Sequence, residues 1–229
     1  MTKAITLALI LAVGVAGCKG TQGGQPSAAS ATAAASTPTA SVLPPAVEQA
    51  EALAEDVQTD LEQNAWPAAE AKVRDLRGVR QKLDSIGIPQ TKRTAYGNAL
   101  DSLGAAITRR SQADALTAGN RVSRVVTGIM AGYPTKVPVD VTMMDVAGRD
   151  ALYAAQQKRW GDAAHAAGEV ERSYAAVQVR VRARNPALDG QVTTEIAQLH
   201  HAVDSRAADQ AVRLARALLQ NVDRIEQAF

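Results

Sequence analysis

The chain predicts an all-α fold, an up-and-down helical bundle built from two similar three-helix units, each with two shorter helices and one long one. Three observations carry this. From Ala46 to Phe229 the composition is dominated by Ala, Val, Leu, Arg, Asp, Glu and Gln, mostly strong helix formers. Within that stretch apolar residues recur at spacings of three and four, which places them on one face of a helix. The stretch also matches itself: with Trp66 laid on Trp160, Val47 falls on Val141, Val57 on Ala151, Gln63 on Gln157 and Leu76 on Val170. A slightly larger offset pairs Leu103 with Leu199, Ile107 with Val203, Arg110 with Arg206 and Ile129 with Ile225. A period of that length, with the chain's only two tryptophans in register, reads as an internal duplication over about 46–131 and 140–229.

The first helix is predicted over about 46–64, with Val47, Ala50, Ala54, Val57 and Leu61 on one face. Pro67 lacks a backbone donor and fits only a first helical turn, so a second helix starts there. It runs through Val73, Leu76, Val79 and Leu83 and ends at Gly87-Ile88-Pro89. Each tryptophan then sits at a helix hairpin, plugging the end of the core. The third helix, 90–131, has no internal proline and is read as one long element, about 60 Å at about 1.5 Å per residue. The two shorter helices either fold back on each other against it or run on as one kinked helix; the sequence leaves both open. Gly132-Tyr133-Pro134 through Pro138 interrupts the pattern between the copies. In the second copy, Val177 to Arg184 alternates like a strand, but its counterpart is helical and a lone strand has no partner, so helix is expected. Aromatics make up 3% of the chain, so Ala, Val, Leu and Ile must form the core and the helices must approach closely.

The N-terminus reads differently. Lys3 precedes about fourteen apolar or small residues, Ala4 to Gly17, too few for a spanning helix, which needs roughly 20. This is the anatomy of a cleaved secretory signal. Val15-Ala16-Gly17-Cys18, an aliphatic residue, two small residues and a cysteine, resembles the lipobox of bacterial lipoproteins. The resemblance covers only this end of the chain. It implies a signal peptide over 1–17, lipidation of Cys18, and a mature protein held to a membrane by acyl chains, each buried methylene contributing about 0.8 kcal/mol. Lys19, in place of an acidic residue, then implies the periplasmic face of the outer membrane. The alternative is an ordinary signal that leaves Cys18, the only cysteine, as a free thiol. Residues 18–45 are almost all Gly, Gln, Ser, Ala, Thr and Pro and read as a flexible tether, stiffened by Pro44-Pro45.

Motif chemistry is sparse. A formal net charge of +2 with interspersed signs leaves no nucleic-acid footprint. No Gly-x-Ser-x-Gly elbow, His-Glu-x-x-His pair or phosphate-cradling loop occurs, so no catalytic residues are assigned and no enzyme is expected. His165, His200 and His201 lie too far apart along their helices to share an ion, and the Glu-x-x-His of carboxylate-bridged bundles is missing, so no metal ligands and no cofactor are assigned. Met130, Met143 and Met144 cluster at the join and are read as gap fillers. Arg110 with Asp114, and Arg206 with Gln210, are placed in the apolar seam of the long helices, as register-setting pairs or the lining of a polar pocket. Arg180, Arg182 and Arg184 suit a helix C-terminus and are the one candidate partner contact, for a phosphate-bearing lipid or an acidic envelope protein. The expectation is a non-enzymatic, membrane-anchored periplasmic protein that binds or scaffolds a partner, the alternative being a bundle that carries a metal or haem.

Overall fold

The computed structural model describes residues 43–229, which form eight α-helices: α1 (Pro45–Glu62), α2 (Trp66–Ser85), α3 (Gln90–Thr108), α4 (Gln112–Met130), α5 (Val139–Gln156), α6 (Trp160–Arg184), α7 (Pro186–Asp204) and α8 (Ala208–Glu226). The signal segment, Cys18 and the tether as far as residue 42 lie outside the described residues. Among the described residues there is no strand, and Val177 to Arg184 is the last part of α6. Consecutive helices run antiparallel, so the all-α, up-and-down arrangement is the observed one. Pro45 is the first residue of α1, which moves the second residue of the Pro44-Pro45 pair from tether to helix.

The helix count differs from expectation. The long helix expected over 90–131 is broken at 109–111 into α3 and α4, and its counterpart at 205–207 into α7 and α8. In each break one residue adopts the left-handed conformation, Arg110 at φ 54° and Arg206 at φ 55°. The Arg110 N–H donates to the Ile107 carbonyl at 2.9 Å and the Ser111 N–H to that of Ala106 at 3.2 Å, the paired bonds that close a Schellman turn. Arg206 and Ala207 repeat them on Val203 and Ala202. The same turn, centred on Asn64 and Lys158, ends α1 and α5. An unbroken helix over 90–131 would be about twice as long as α1 or α2 and leave half its apolar face uncovered. Folding back lets Leu103 and Ile107 of α3 share a core with Ala115 and Val122 of α4. The seam pairs expected there are therefore absent: Arg110 is an exposed turn residue, and Asp114 sits in the first turn of α4, accepting a hydrogen bond from Ser111. The two short helices of each half form a hairpin, α1 on α2 and α5 on α6.

In the first half α1 packs on α2 and α4, and α3 lies between α2 and α4; α5 to α8 repeat that ring, and α4 against α5 joins the halves. Turn residues Asn64 and Lys158 are 94 positions apart, and Arg110 and Arg206 are 96 apart, the offsets at which the sequence matches itself. Trp66 and Trp160 open α2 and α6, half-buried against the core at equivalent hairpins. The join is polar. Arg124 of α4 donates to Asp150 of α5 at 2.6 Å and, through both terminal nitrogens, to Glu169 of α6 at 3.1 and 2.7 Å. Fully buried Asn120 donates to the Val146 carbonyl at 2.8 Å and to Asp150 at 2.7 Å.

Because the helices alternate in direction, one end of the bundle carries the chain entry at Leu43, the 86–89 and 131–138 connections, Asn185 and the C-terminal Phe229. The opposite end carries the four turns centred on Asn64, Arg110, Lys158 and Arg206. Among the described residues no helix is long and apolar enough to cross a membrane.

Candidate functional site: an acidic groove along α5

The rings leave one side open. α1 and α8 flank α5 without packing on each other, and the space between them is a groove along α5. Helix periodicity builds its walls. On α1, Glu48, Glu51, Glu55 and Glu62 are spaced three, four and seven apart and fall on one stripe beside the buried Val47–Leu61 face. α1 carries six carboxylates and no basic residue. On α8, Arg216, Leu219, Asp223 and Glu226 form the facing stripe, and α5 supplies a floor of Asp145, Arg149 and Tyr153.

The groove has two lobes. The lobe at the chain-entry end has a volume of about 610 Å³, with Glu48, Glu51, Glu55 and Glu226 around apolar Leu43, Met130 and Val137. The lobe at the turn end, about 550 Å³, is lined by Glu62, Arg149 and Asp223 with Leu116, Leu152 and Leu219. Between them Arg149 donates from Nε to Asp145 at 2.9 Å and lies 3.4 Å from Glu62. The Tyr153 hydroxyl lies 3.3 Å from the same Glu62 oxygen and 3.4 Å from the side-chain oxygen of buried Gln58, whose amide donates to the Leu116 carbonyl at 3.3 Å.

Arg149 thus serves Asp145 and Glu62, and the entry lobe is left negative. Partial burial, then Glu55 and Glu48, pushes the Glu51 carboxyl up to about 7. Burial, then Asp145, Glu55, Asp223 and Glu51, does the same to Glu226, also to about 7. Glu55 and Asp223 are raised as well, by burial first and Asp145 next, with Arg149 opposing. Burial works against the Arg149 charge, but Asp145 outweighs it and the guanidinium stays firmly protonated. Among the described residues Glu51, Glu55, Asp223 and Glu226 form no ion pair; those of the groove are the two of Arg149. The groove therefore holds uncompensated negative charge beside apolar surface, which suits it to bind a cation.

Of the candidate site residues named from the sequence, those that are described lie outside this groove. Cys18 lies outside the described residues. Arg182 donates from Nε to Asp189 of α7 at 2.6 Å, and Asp189 also accepts from Tyr174 at 2.8 Å and Gln178 at 2.9 Å. Arg182 first, and then these hydrogen bonds, hold the Asp189 carboxyl below its ordinary range against the cost of burial. The guanidinium carbons of Arg180 and Arg184 lie 5.3 and 4.3 Å from the centre of the Phe229 ring. The basic run thus ties α6 to α7 and to the chain end, though all three side chains still reach solvent. His165 faces Glu169 at 3.7 Å and His200 faces Glu171 at 3.3 Å, one carboxylate each, while His201 is exposed. Among the described residues no group of three or more His, Cys, Asp or Glu is disposed to hold a metal ion.

The groove has no contiguous motif in the sequence. The available signal was the charge imbalance of α1, whose acids have no basic residue three or four positions away. No family model matches the chain, and no curated protein or solved structure is similar to it.

Proposed function

We propose that this protein is a non-enzymatic binding module of the bacterial envelope, held on the periplasmic face of the outer membrane by lipid on Cys18, with the groove along α5 as its binding site. The groove carries this reading: a two-lobed trough that the described helices leave open and the described basic residues do not neutralise. The lipobox resemblance at Val15–Cys18 and the tether-like composition after it support the anchor. The chain enters the bundle at Leu43, which lines the entry lobe, so a tethered domain carries that lobe toward the membrane.

Two measurements test this. Cys18→Ala is expected to move the protein from the membrane to the soluble fraction and to abolish fatty-acid labelling. A photo-crosslinking amino acid placed at Gln220 in the groove is expected to capture envelope components that the same group at exposed Arg77 on α2 does not. Retained membrane partition in the alanine variant refutes the anchor, and equal capture from both positions refutes the groove as the binding site.

A further inference from the structure

We infer that the groove receives a short basic, amphipathic peptide segment of another polypeptide, an inference that rests on reading the groove as a binding site. Charge defines the first half of the complement. Seven carboxylates, Glu48, Glu51, Glu55 and Glu62 on α1, Asp145 on α5, and Asp223 and Glu226 on α8, face a groove whose lining cations are Lys136, Arg149 and Arg216. Arg149 is already engaged by Asp145 and Glu62. The entry lobe is the most uncompensated part, since four of these carboxylates meet there opposite Lys136. Burial first, and then the neighbouring carboxylates, raises the proton affinity of Glu51, Glu55, Asp223 and Glu226, the direction that marks a site where further negative charge is costly and positive charge is favoured.

Shape defines the second half. From Glu48 to Glu62 the α1 row extends about 21 Å at about 1.5 Å per residue, the length of six or seven extended residues at about 3.3 Å each. A single metal ion cannot use a row of that length. The apolar walls argue against a small polycation. The half-exposed side chains of Leu43 and Val137 in one lobe, and of Leu219 in the other, are contact surface for apolar side chains set between the positive ones. Alternating charged and apolar side chains along a short backbone satisfies both lobes. Electrostatic complementarity of this kind sets partner choice and encounter rate more than raw affinity. The Arg180, Arg182 and Arg184 run does not supply the ligand from within, being engaged with Phe229 and Asp189 on the α6 side of the second ring.

The test uses the mature full-length protein and three probes: a fluorescent eight-residue peptide of alternating Lys and Leu, the same peptide with Glu for Lys, and spermine. The Lys-Leu peptide is expected to bind and the Glu-Leu peptide not. The triple variant Glu51→Gln, Glu55→Gln, Glu226→Gln is expected to weaken binding about tenfold, as the loss of three partly screened charge contacts implies. Asp75→Asn, Asp101→Asn, Asp204→Asn, three exposed acids away from the groove, controls for net charge and is expected to stay within about twofold of wild type. A second groove variant, Gln220→Lys, adds a repelling charge without removing any carboxylate and is expected to weaken binding in the same direction, which keeps the test open if the triple variant folds poorly. Equal loss in the control variant, equal binding of the Glu-Leu peptide, or spermine binding as tightly as the peptide each overturns the inference. Failure of the Lys-Leu peptide while Gln220 crosslinks still form removes the ligand class and leaves the groove; loss of both removes the binding-site reading as well.

Discussion

Replacing Glu51 and Glu226 together by Gln is expected to stabilise the fold above neutral pH and to flatten its dependence on pH. Both carboxyls are held near pH 7 in the folded protein against 4.5 in the free side chain. Between those values the folded chain binds more protons than the unfolded one, so stability falls as pH rises through this window and the loss is complete above the folded value. In a dry interior a displacement of that size corresponds to about 3 kcal/mol per group. Both side chains reach water, and screening leaves about 1 kcal/mol or less for each. The groups that set the field are Glu48 and Glu55 from α1, Asp145 and Arg149 from α5, Asp223 from α8 and Lys136 from the connection before α5, and the double variant leaves all of them in place. Urea unfolding followed by circular dichroism at about pH 5, 6, 7 and 8 is the assay, with the midpoint converted to free energy at each pH. Wild type is expected to lose about 1–2 kcal/mol from the lowest to the highest pH, and the double variant to lose clearly less. Every other titratable group is common to the two proteins, so the difference between the curves reports the two carboxyls. A wild-type midpoint that rises with pH, or a double variant with an unchanged slope, would refute the claim that the groove is electrostatically strained.

Two further outcomes follow from the turns and the join. Arg206→Gly and Lys158→Gly are each expected to stabilise the fold by about 0.5–1 kcal/mol in urea unfolding, because glycine relieves the cost of a Cβ at positive φ and gives back only part of it in unfolded-chain entropy, whereas Arg206→Ala keeps the Cβ and is expected to gain nothing. Arg124→Met is expected to cost about 3 kcal/mol by the same measurement, since Asp150 and Glu169 lose their shared cation in a setting where each is about a quarter exposed; a loss below about 1 kcal/mol would show the join to be held by apolar packing alone.

Much of the fold was legible in the sequence because helices announce themselves through periodicity. The apolar spacing located α1, α2 and the interruption before α5 to within one or two residues, and Pro67 with Trp66 marked the first hairpin. The breaks at 109–111 and 205–207 were missed for a definite reason. Sequence punctuation relies on glycine and proline, and these turns place arginine in the left-handed position, where backbone hydrogen bonds to Ile107 and Ala106, or Val203 and Ala202, carry the geometry instead. The match of Arg110 with Arg206 was visible, but a pair of arginines reads as charge before it reads as a bend. The groove was less legible still. Its acids belong to helices separated by as many as 178 positions, Glu48 on α1 and Glu226 on α8, and no local pattern links them. Conversely, the Arg180–Arg184 run stood out because it is contiguous; its side chains are exposed and also lie against Asp189 and Phe229.

An even number of antiparallel passes returns the chain to the side from which it set out, so Leu43 and Phe229 share one end of the bundle. A reporter fused after Phe229 would disturb the ring that Arg180 and Arg184 cover. Dyes or tags on the opposite turns, at Asn64 or Lys158, stand clear of both the attachment and the chain end. A fluorescent pair split between Asn64 and Arg216 would span the turn-end mouth between α1 and α8, and its transfer efficiency would report how far those two walls stand apart when the trough is empty and when it is filled.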